Sequence, residues 1–194
     1  MQLLFLSAPT EPGSAAFPRV LVVAERDSRL DIIESYAATE EAAYFTDAVV
    51  EVFVGAGARV THYKVQDESG RAFHVASTRA ELARDSSYDL TTVTLGARLS
   101  RHNIEVKLDS EGAACRVDGL YIVGDGQHTD THSLIDHQRP NCTSRQNYKG
   151  IPTVASSSTR ARTERTPSRA TRISCSLRRR AWTPSRSLRF STTT

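Results

Sequence analysis

The sequence predicts an all-β chain, a parallel β-helix (solenoid) followed by a disordered basic tail. Three observations carry that reading. Strand-type alternation recurs through most of the chain, a quasi-repeat returns at nearly constant spacing, and the composition breaks at Ile151–Pro152.

The alternation is clearest in Ile104-Glu105-Val106-Lys107-Leu108, with apolar residues at every second position, and in Val50-Glu51-Val52-Phe53-Val54. Met1 to Leu6 has no basic leader and too short an apolar run for a signal core, so it reads as a strand. Val20 to Val23 and Leu120 to Val123 are short apolar runs that suit strands buried on both faces. Gly55-Ala56-Gly57, Asp109-Ser110-Glu111-Gly112 and Gly124-Asp125-Gly126 punctuate these segments as turns. Helical character is weak. Glu34 to Tyr44 is its best candidate and Thr78 to Arg84 a shorter second.

The quasi-repeat has the pattern small, any, apolar or Cys, polar, apolar. It runs Ser28 to Ile32, Ala58 to His62, Ser86 to Leu90 and Ala113 to Val117, with Pro140-Asn141-Cys142-Thr143 as a degraded fifth copy. Its third positions are 30, 60, 88, 115 and 142, spaced by 30, 28, 27 and 27 residues. A solenoid with about two strands per unit explains such a period. A Greek-key sandwich is the rival, since it also strings short strands together. The return of the same turn chemistry at the same phase favours the solenoid.

The net charge of +3 conceals a split. Residues 1–151 hold 15 Lys and Arg against 21 Asp and Glu, net −6. Residues 152–194 hold ten Arg, no Lys and the single acid Glu164, net +9, and 18 of these 43 residues are Ser or Thr. With no sustained hydrophobic period, the second segment reads as disordered. The boundary therefore falls between residues 1–151 and 152–194. No apolar run approaches the length of a bilayer span, and three cysteines exclude a disulfide scaffold. Without a signal the expected compartment is the cytoplasm.

The densest polar run is Gln127 to His137. In a strand His128, Asp130 and His132 share one face, and imidazole with carboxylate suits zinc or iron. The spacing matches no metal signature, and a hydrogen-bonded outer face is the plainer reading. Cys115 and Cys142 fall on inward repeat positions and read as small buried residues. No G-x-S-x-G, P-loop or G-x-G-x-x-G is present, and no acid/base pair stands out, so no catalytic residue is assigned. Two other functions remain open: a carbohydrate-active β-helix enzyme, and a nucleic-acid binder acting through the arginine-rich tail.

Four strings carry a resemblance: PRVLVVAERDSRLDIIESY (18–36), AYFTDAVVEVFVGAGARVTHYKVQ (43–66), FHVAST (73–78) and GLYIVGDGQHTDTHSLIDHQRPNCTSRQNYKGI (119–151). The chain resembles the SufB/SufD family of SUF-system iron–sulfur cluster assembly proteins, with SufD the nearer branch, over about residues 3 to 151. The resemblance implies a right-handed parallel β-helix core and a scaffolding role, not an enzyme's, beside SufB-like and SufC-like ATPase subunits. An iron–sulfur cluster is implied for that parent complex, with no cofactor bound by this chain alone. The family's C-S/T-H-G cluster motif and helical SufC-docking region find no counterpart here. The resemblance therefore carries over no cluster-assembly residue and implies a truncated, impaired component.

The abrupt change at Ile151 suggests a shifted reading frame. Regrouping the codons of Thr171 to Thr193 permits Q-N-L-L-L-S-E-E-A, then V-D-T-K-P-Q-L-E-I-F-N-D-D, a family-like continuation. A shift accounts together for the Arg/Ser/Thr bias, the missing Lys and the lost periodicity.

Overall fold

The computed structural model describes residues 1–194 except Thr10, Pro12, Asp125, 153–157, 166–169, 179–186 and Thr194, with side chains described through Ile151. Its strands are β1 (Gln2–Ser7), β2 (Ala15–Ala16), β3 (Arg19–Ala24), β4 (Arg29–Ala38), β5 (Phe45–Val54), β6 (Arg59–Asp67), β7 (Phe73–Leu82), β8 (Ser87–Thr94), β9 (Leu99–Leu108), β10 (Ala114–Val123), β11 (His128–His137) and β12 (Thr143–Pro152). Further on come β13 (Ser158–Arg165), β14 (Ala170–Arg178) and β15 (Ser187–Thr193).

These strands form two sheets. One has the order β1-β4-β6-β8-β10-β12-β15, the other β13-β14-β11-β9-β7-β5-β2, with β3 also on β5. From β1 to β12 every pairing is parallel; β1 pairs with β4 and β2 with β5, and from β3 onward each strand pairs with the next but one in sequence. The chain thus alternates between sheets and climbs one coil with each pair of strands, making a β-solenoid of about five turns. The rival sandwich is excluded, because its strands would pair antiparallel.

The repeat is visible in the register: Arg29 lies beside Arg59, Arg59 beside Ser87, Ser87 beside Ala114, and Ala114 beside Thr143. The fifth copy requires a correction. Cys142 precedes Thr143, so it stacks on Ala113, and Ser144 is the residue that pairs with Cys115. Cys142 fills the small corner position held by Ala58, Ser86 and Ala113 in earlier coils, all essentially without exposed surface. The sequence pattern aligned two cysteines that serve different positions.

Neither candidate is helical: each begins within a strand and runs on into the connection that follows it. Glu34 lies within β4 and Thr78 within β7. Alternation was hidden there because the inward positions of β4 include Glu34 and those of β7 include His74 and Thr78, which are polar yet buried. Val20 to Val23 is buried on one face only: Val22 is enclosed while Leu21 and Val23 are exposed.

Tight turns join each strand of the second sheet to the next strand of the first. Their residues in the left-handed region are Asp27, Gly57, Asp85, Gly112 and Asn141, one per coil. Backbone bonds tie successive turns together, from Asp27 N to Ala56 O, Gly57 N to Arg84 O and Asp85 N to Glu111 O. Ser28 and Ser86 hydroxyls donate to the carbonyls of Glu25 and Ala83, three residues back. Next to these turns the lumen is apolar, with Val22, Val52, Val54, Ala80, Leu82, Val106 and Leu108 stacked coil on coil.

Past β12 the pairing changes sense. β15 joins β12, β14 joins β11 and β13 joins β14, all antiparallel. Where the sequence predicts a disordered tail, the described backbone of these segments is extended. Thr-rich stretches suit an extended chain, and the last coil offers two strand edges on which to pair.

Candidate functional site

The lumen is polar on the side away from the tight turns. Register explains how. Glu34, Lys64, Thr92, Gly119 and Tyr148 occupy one inward row of the first sheet. Across the lumen, Thr46, His74 and Ser100 form one row of the second sheet, and Ala48, Ala76 and His102 the next. Alternation places all of them inside, whatever their polarity.

Buried charge demands partners, and the first coils supply them. Glu34 has no exposed surface. Its Oε2 lies 2.7 Å from His62 Nε2, its Oε1 lies 3.4 Å from Lys64 Nζ, and the Tyr36 hydroxyl also donates to Oε1. His62 Nδ1 lies 2.9 Å from the Tyr88 hydroxyl. Both ring nitrogens of His62 are thus engaged, one by Glu34 and the other by Tyr88. Burial raises the Glu34 carboxyl, but Lys64, then His62 and Tyr36, outweigh it and hold the group well below the usual carboxylate range. Burial, then the charge of Glu34, pushes the Tyr36 phenol far up. The Lys64 ammonium is pulled down by burial, against Glu34 and Glu68.

Tyr36 is the hub of this group. Phe5 stacks on its ring at 4.9 Å between centroids, Lys64 Nζ sits 4.1 Å from its centroid, and His74 meets it edge-on at 4.7 Å. A second buried carboxylate, Glu68, takes hydrogen bonds from Thr46 Oγ1 at 2.9 Å and Gln66 Nε2 at 3.2 Å, and lies 2.6 Å from His74 Nδ1. His74 and Gln66 help hold its carboxyl below the usual range against its burial. Further along, His102 Nε2 pairs with Thr78 Oγ1 at 2.8 Å, and burial drives its imidazole well below the ordinary value.

The sequence-predicted ladder lies elsewhere. His128, Asp130 and His132 stand on the outer face of β11, sharing one face as alternation requires. Asp130 Oδ2 lies 3.3 Å from His132 Nδ1 and 3.8 Å from Arg101 on β9. Among the described residues no group of three or more His, Cys, Asp or Glu is placed to hold a metal ion. The ladder faces outward, with His132 close to Asp130 and Arg101 beside them. Beside it runs a groove of about 410 Å³ across β5, β7, β9 and β11, which includes Arg79, Arg101, Asn103 and His132.

Cys115 and Cys142 are buried free thiols, inward as expected. Burial, then the nearby Asp89 and Cys142, pushes the Cys115 thiol up to about 12, which keeps it protonated and unreactive. Cys142 Sγ donates to Ser110 O at 3.2 Å.

Sequence reasoning missed Glu34, His62, Lys64, Glu68 and His74. The signal was present for three of them. Counting by twos from the repeat positions Leu30 and Val60 puts Glu34, His62 and Lys64 on the inward phase.

Stacked parallel coils around a lumen with its charges paired internally define a β-solenoid core domain. Residues 5–162 match the family described as "SUF system FeS cluster assembly, SufBD core domain", and the chain belongs to that family. It is 35% identical over 159 residues to an iron–sulfur cluster assembly SufBD family protein of Synechocystis, covering 78% of this chain and 35% of that one. It is 29% identical over 144 residues to the iron–sulfur cluster assembly protein SufD of Escherichia coli, covering 74% and 34%. A SufBD family protein of Mycobacterium leprae is 36% identical over 101 residues, covering 52% and 26%. The chain spans about a third of the length of the first two relatives. No solved structure matches it. Neither the carbohydrate-active nor the nucleic-acid reading finds support in these likenesses. Among the described residues no helix is long and apolar enough to cross a membrane.

Proposed function

We propose that the chain serves as the core of a SufD-like scaffold component in iron–sulfur cluster assembly, beside a SufB-like subunit and a SufC-like ATPase. The observation that carries this is the family match over residues 5–162, which runs from within β1 through the whole parallel ladder to β12. The role is to hold partners in place. The charged lumen groups face one another and are enclosed, so chemistry on iron and sulfide belongs at surfaces shared with partners. Those ions are cargo of the complex, and no residue here is assigned to ligate them.

The test is reconstitution. A SufB-like subunit and SufC-like ATPase receive iron, a sulfur source and nucleotide, with and without this chain. Cluster yield, read from visible absorption, rises when the chain is present. Equal yields with a folded chain in the mixture contradict the proposal.

A further inference from the structure

Three enclosed side chains form an unbroken line of hydrogen bonds inside the lumen. The Tyr88 hydroxyl lies 2.9 Å from His62 Nδ1, and His62 Nε2 lies 2.7 Å from Glu34 Oε2. All three residues are 0% exposed. They stand on β8, β6 and β4, adjacent strands of the first sheet, so successive coils bring them together. Apart from His62, the Tyr88 hydroxyl has no hydrogen-bond partner among the described residues. The imidazole is therefore the one base in reach of its proton. Each buried carboxylate also has a basic group besides His62 to face: Lys64 Nζ lies 3.4 Å from Glu34 Oε1, and His74 Nδ1 lies 2.6 Å from Glu68 Oε2.

Enclosure treats the proton and the electron of this phenol differently. The proton has no direct route to water, and burial, then the charge of Glu34, holds the phenol well above its ordinary value. An electron has a short way out. Packed sheets stand about 10 Å apart, so no lumen group is far from a wall. Ser87 and Asp89, on either side of Tyr88 in β8, reach partly into solvent. A phenol that loses an electron becomes a very strong acid, so the electron leaves readily only where a base takes the proton with it. Tyr36 supplies the contrast. Its hydroxyl donates to Glu34, whose carboxyl is held well below the usual range and is a poor base. An ordinary imidazole takes a proton near pH 6.5. Of the two phenols on this network, Tyr88 is the one bonded to a competent acceptor.

We propose that Tyr88 is a redox-active tyrosine, which gives one electron to an oxidant at the outer face of the solenoid while its hydroxyl proton passes to His62 Nδ1. His62 starts neutral, with Nε2–H on Glu34 and a lone pair on Nδ1. The oxidant is an outer-sphere one-electron acceptor, such as an oxygen-centred radical. The O–H bond of Tyr88 breaks and an N–H bond forms on His62. The products are a neutral tyrosyl radical, an imidazolium and the reduced oxidant. Glu34, 2.7 Å from Nε2, steadies the imidazolium. A small thiolate, as one-electron reductant, returns the electron, and His62 returns the proton. The closed lumen keeps the radical from water and from coupling with a second chain.

The experiment uses the full 194-residue chain with Tyr63→Phe and Trp182→Phe, which remove an exposed phenol and the one indole of the sequence. Photogenerated ruthenium(III) tris-bipyridine is the oxidant. The tyrosyl radical is read by transient absorption and by freeze-quenched electron paramagnetic resonance. It forms in this chain at neutral pH, is lost with Tyr88→Phe and persists with Tyr36→Phe, each variant checked for its fold by circular dichroism. With no lumen residue altered, its formation slows in D₂O and keeps the same rate as buffer concentration rises, because the proton acceptor is internal. Equal radical yields with and without the Tyr88 hydroxyl overturn the proposal, as does a rate that climbs with buffer base. So does a His62 imidazolium seen by ¹⁵N shifts before oxidation.

Discussion

At the scale of single residues, the tight turns show how stacking constrains identity. The left-handed position alternates Asp27, Gly57, Asp85, Gly112 through the coils. A Cβ on Gly57 would lie 2.1 Å from Asp27 Oδ1, and one on Gly112 would lie 2.0 Å from Asp85 Oδ1. Each aspartate occupies the space that the glycine above it leaves, so glycine here serves a close approach as well as a positive φ. Gly57→Ala is expected to lower stability by about 1–3 kcal/mol in urea unfolding. Removing the aspartate side chain as well, in Asp27→Ala/Gly57→Ala, should recover part of that loss. Strictly additive losses in the double variant would show that the two residues do not compete for space.

Glu34 is the other residue-scale constraint. Breaking a buried ion pair by deleting one partner costs about 3–5 kcal/mol, because the remaining charge is stranded. Glu34→Ala should therefore leave the chain largely unfolded at 37 °C by circular dichroism. Glu34→Ala with Lys64→Met should be more stable than Glu34→Ala alone.

At the scale of elements, β10 and β12 interlock through reciprocal glycine–tyrosine pairs. Gly119 pairs with Tyr148, and Tyr121 with Gly150. A Cβ on Gly119 would lie 2.4 Å from the Tyr148 ring, and one on Gly150 would lie 2.4 Å from the Tyr121 ring. The tyrosines thus cover bare backbone of the neighbouring coil, an arrangement that spares strand glycines their usual weakness. Gly119→Ala should cost about 1–3 kcal/mol by overpacking, and hydrogen exchange should quicken in β10 and β12 before β4 and β5. A loss spread evenly over all strands would count against the interlock.

The same scale shows what was legible in the sequence. Strands with apolar inward residues, such as β5 and β9, were plain from alternation. β4 and β7 were not, because Glu34, His74 and Thr78 break the hydrophobic signal while keeping its phase. The candidate ladder His128, Asp130 and His132 was found because its residues are close in sequence. The lumen network escaped because Glu34 and His62, or Glu68 and Thr46, meet only after a full coil of chain has intervened. Cys142 was misaligned because a small residue at the corner and a small residue inside a strand look alike without the register.

At the scale of the whole molecule, the lumen predicts how stability follows pH. Glu34 and Glu68 have depressed carboxyl groups in the folded chain, so their contribution is present above the unfolded carboxylate value and is lost on acidification. His74, His102 and His137 are also depressed, chiefly by burial, so the unfolded chain binds protons that the folded chain refuses below about pH 6.5. Both effects have the same sign. The thermal midpoint should fall steadily from pH 7.5 to pH 5, with the fall beginning in the histidine range. His102→Leu should flatten the first part of that slope. A midpoint constant down to pH 5 would show that these groups titrate alike in both states.

The segment after Ile151 belongs to this scale too. Its composition departs from the body at the point where parallel pairing gives way to antiparallel, although the family match runs on to residue 162. We propose that a shifted reading frame produced it. Nucleotide sequence across codon 151 settles the matter: a one-base shift that opens a SufD-like continuation supports the proposal, and a second frame without one refutes it.

The most direct test of the central claim is co-elution. The chain is co-expressed with a SufB-like subunit and a SufC-like ATPase, purified by a tag on the SufB-like subunit, and sized on a column. A SufBD core acting as a scaffold component is retained and co-elutes at a defined ratio, with its solenoid folded by circular dichroism. A folded chain that passes through without binding would contradict the account.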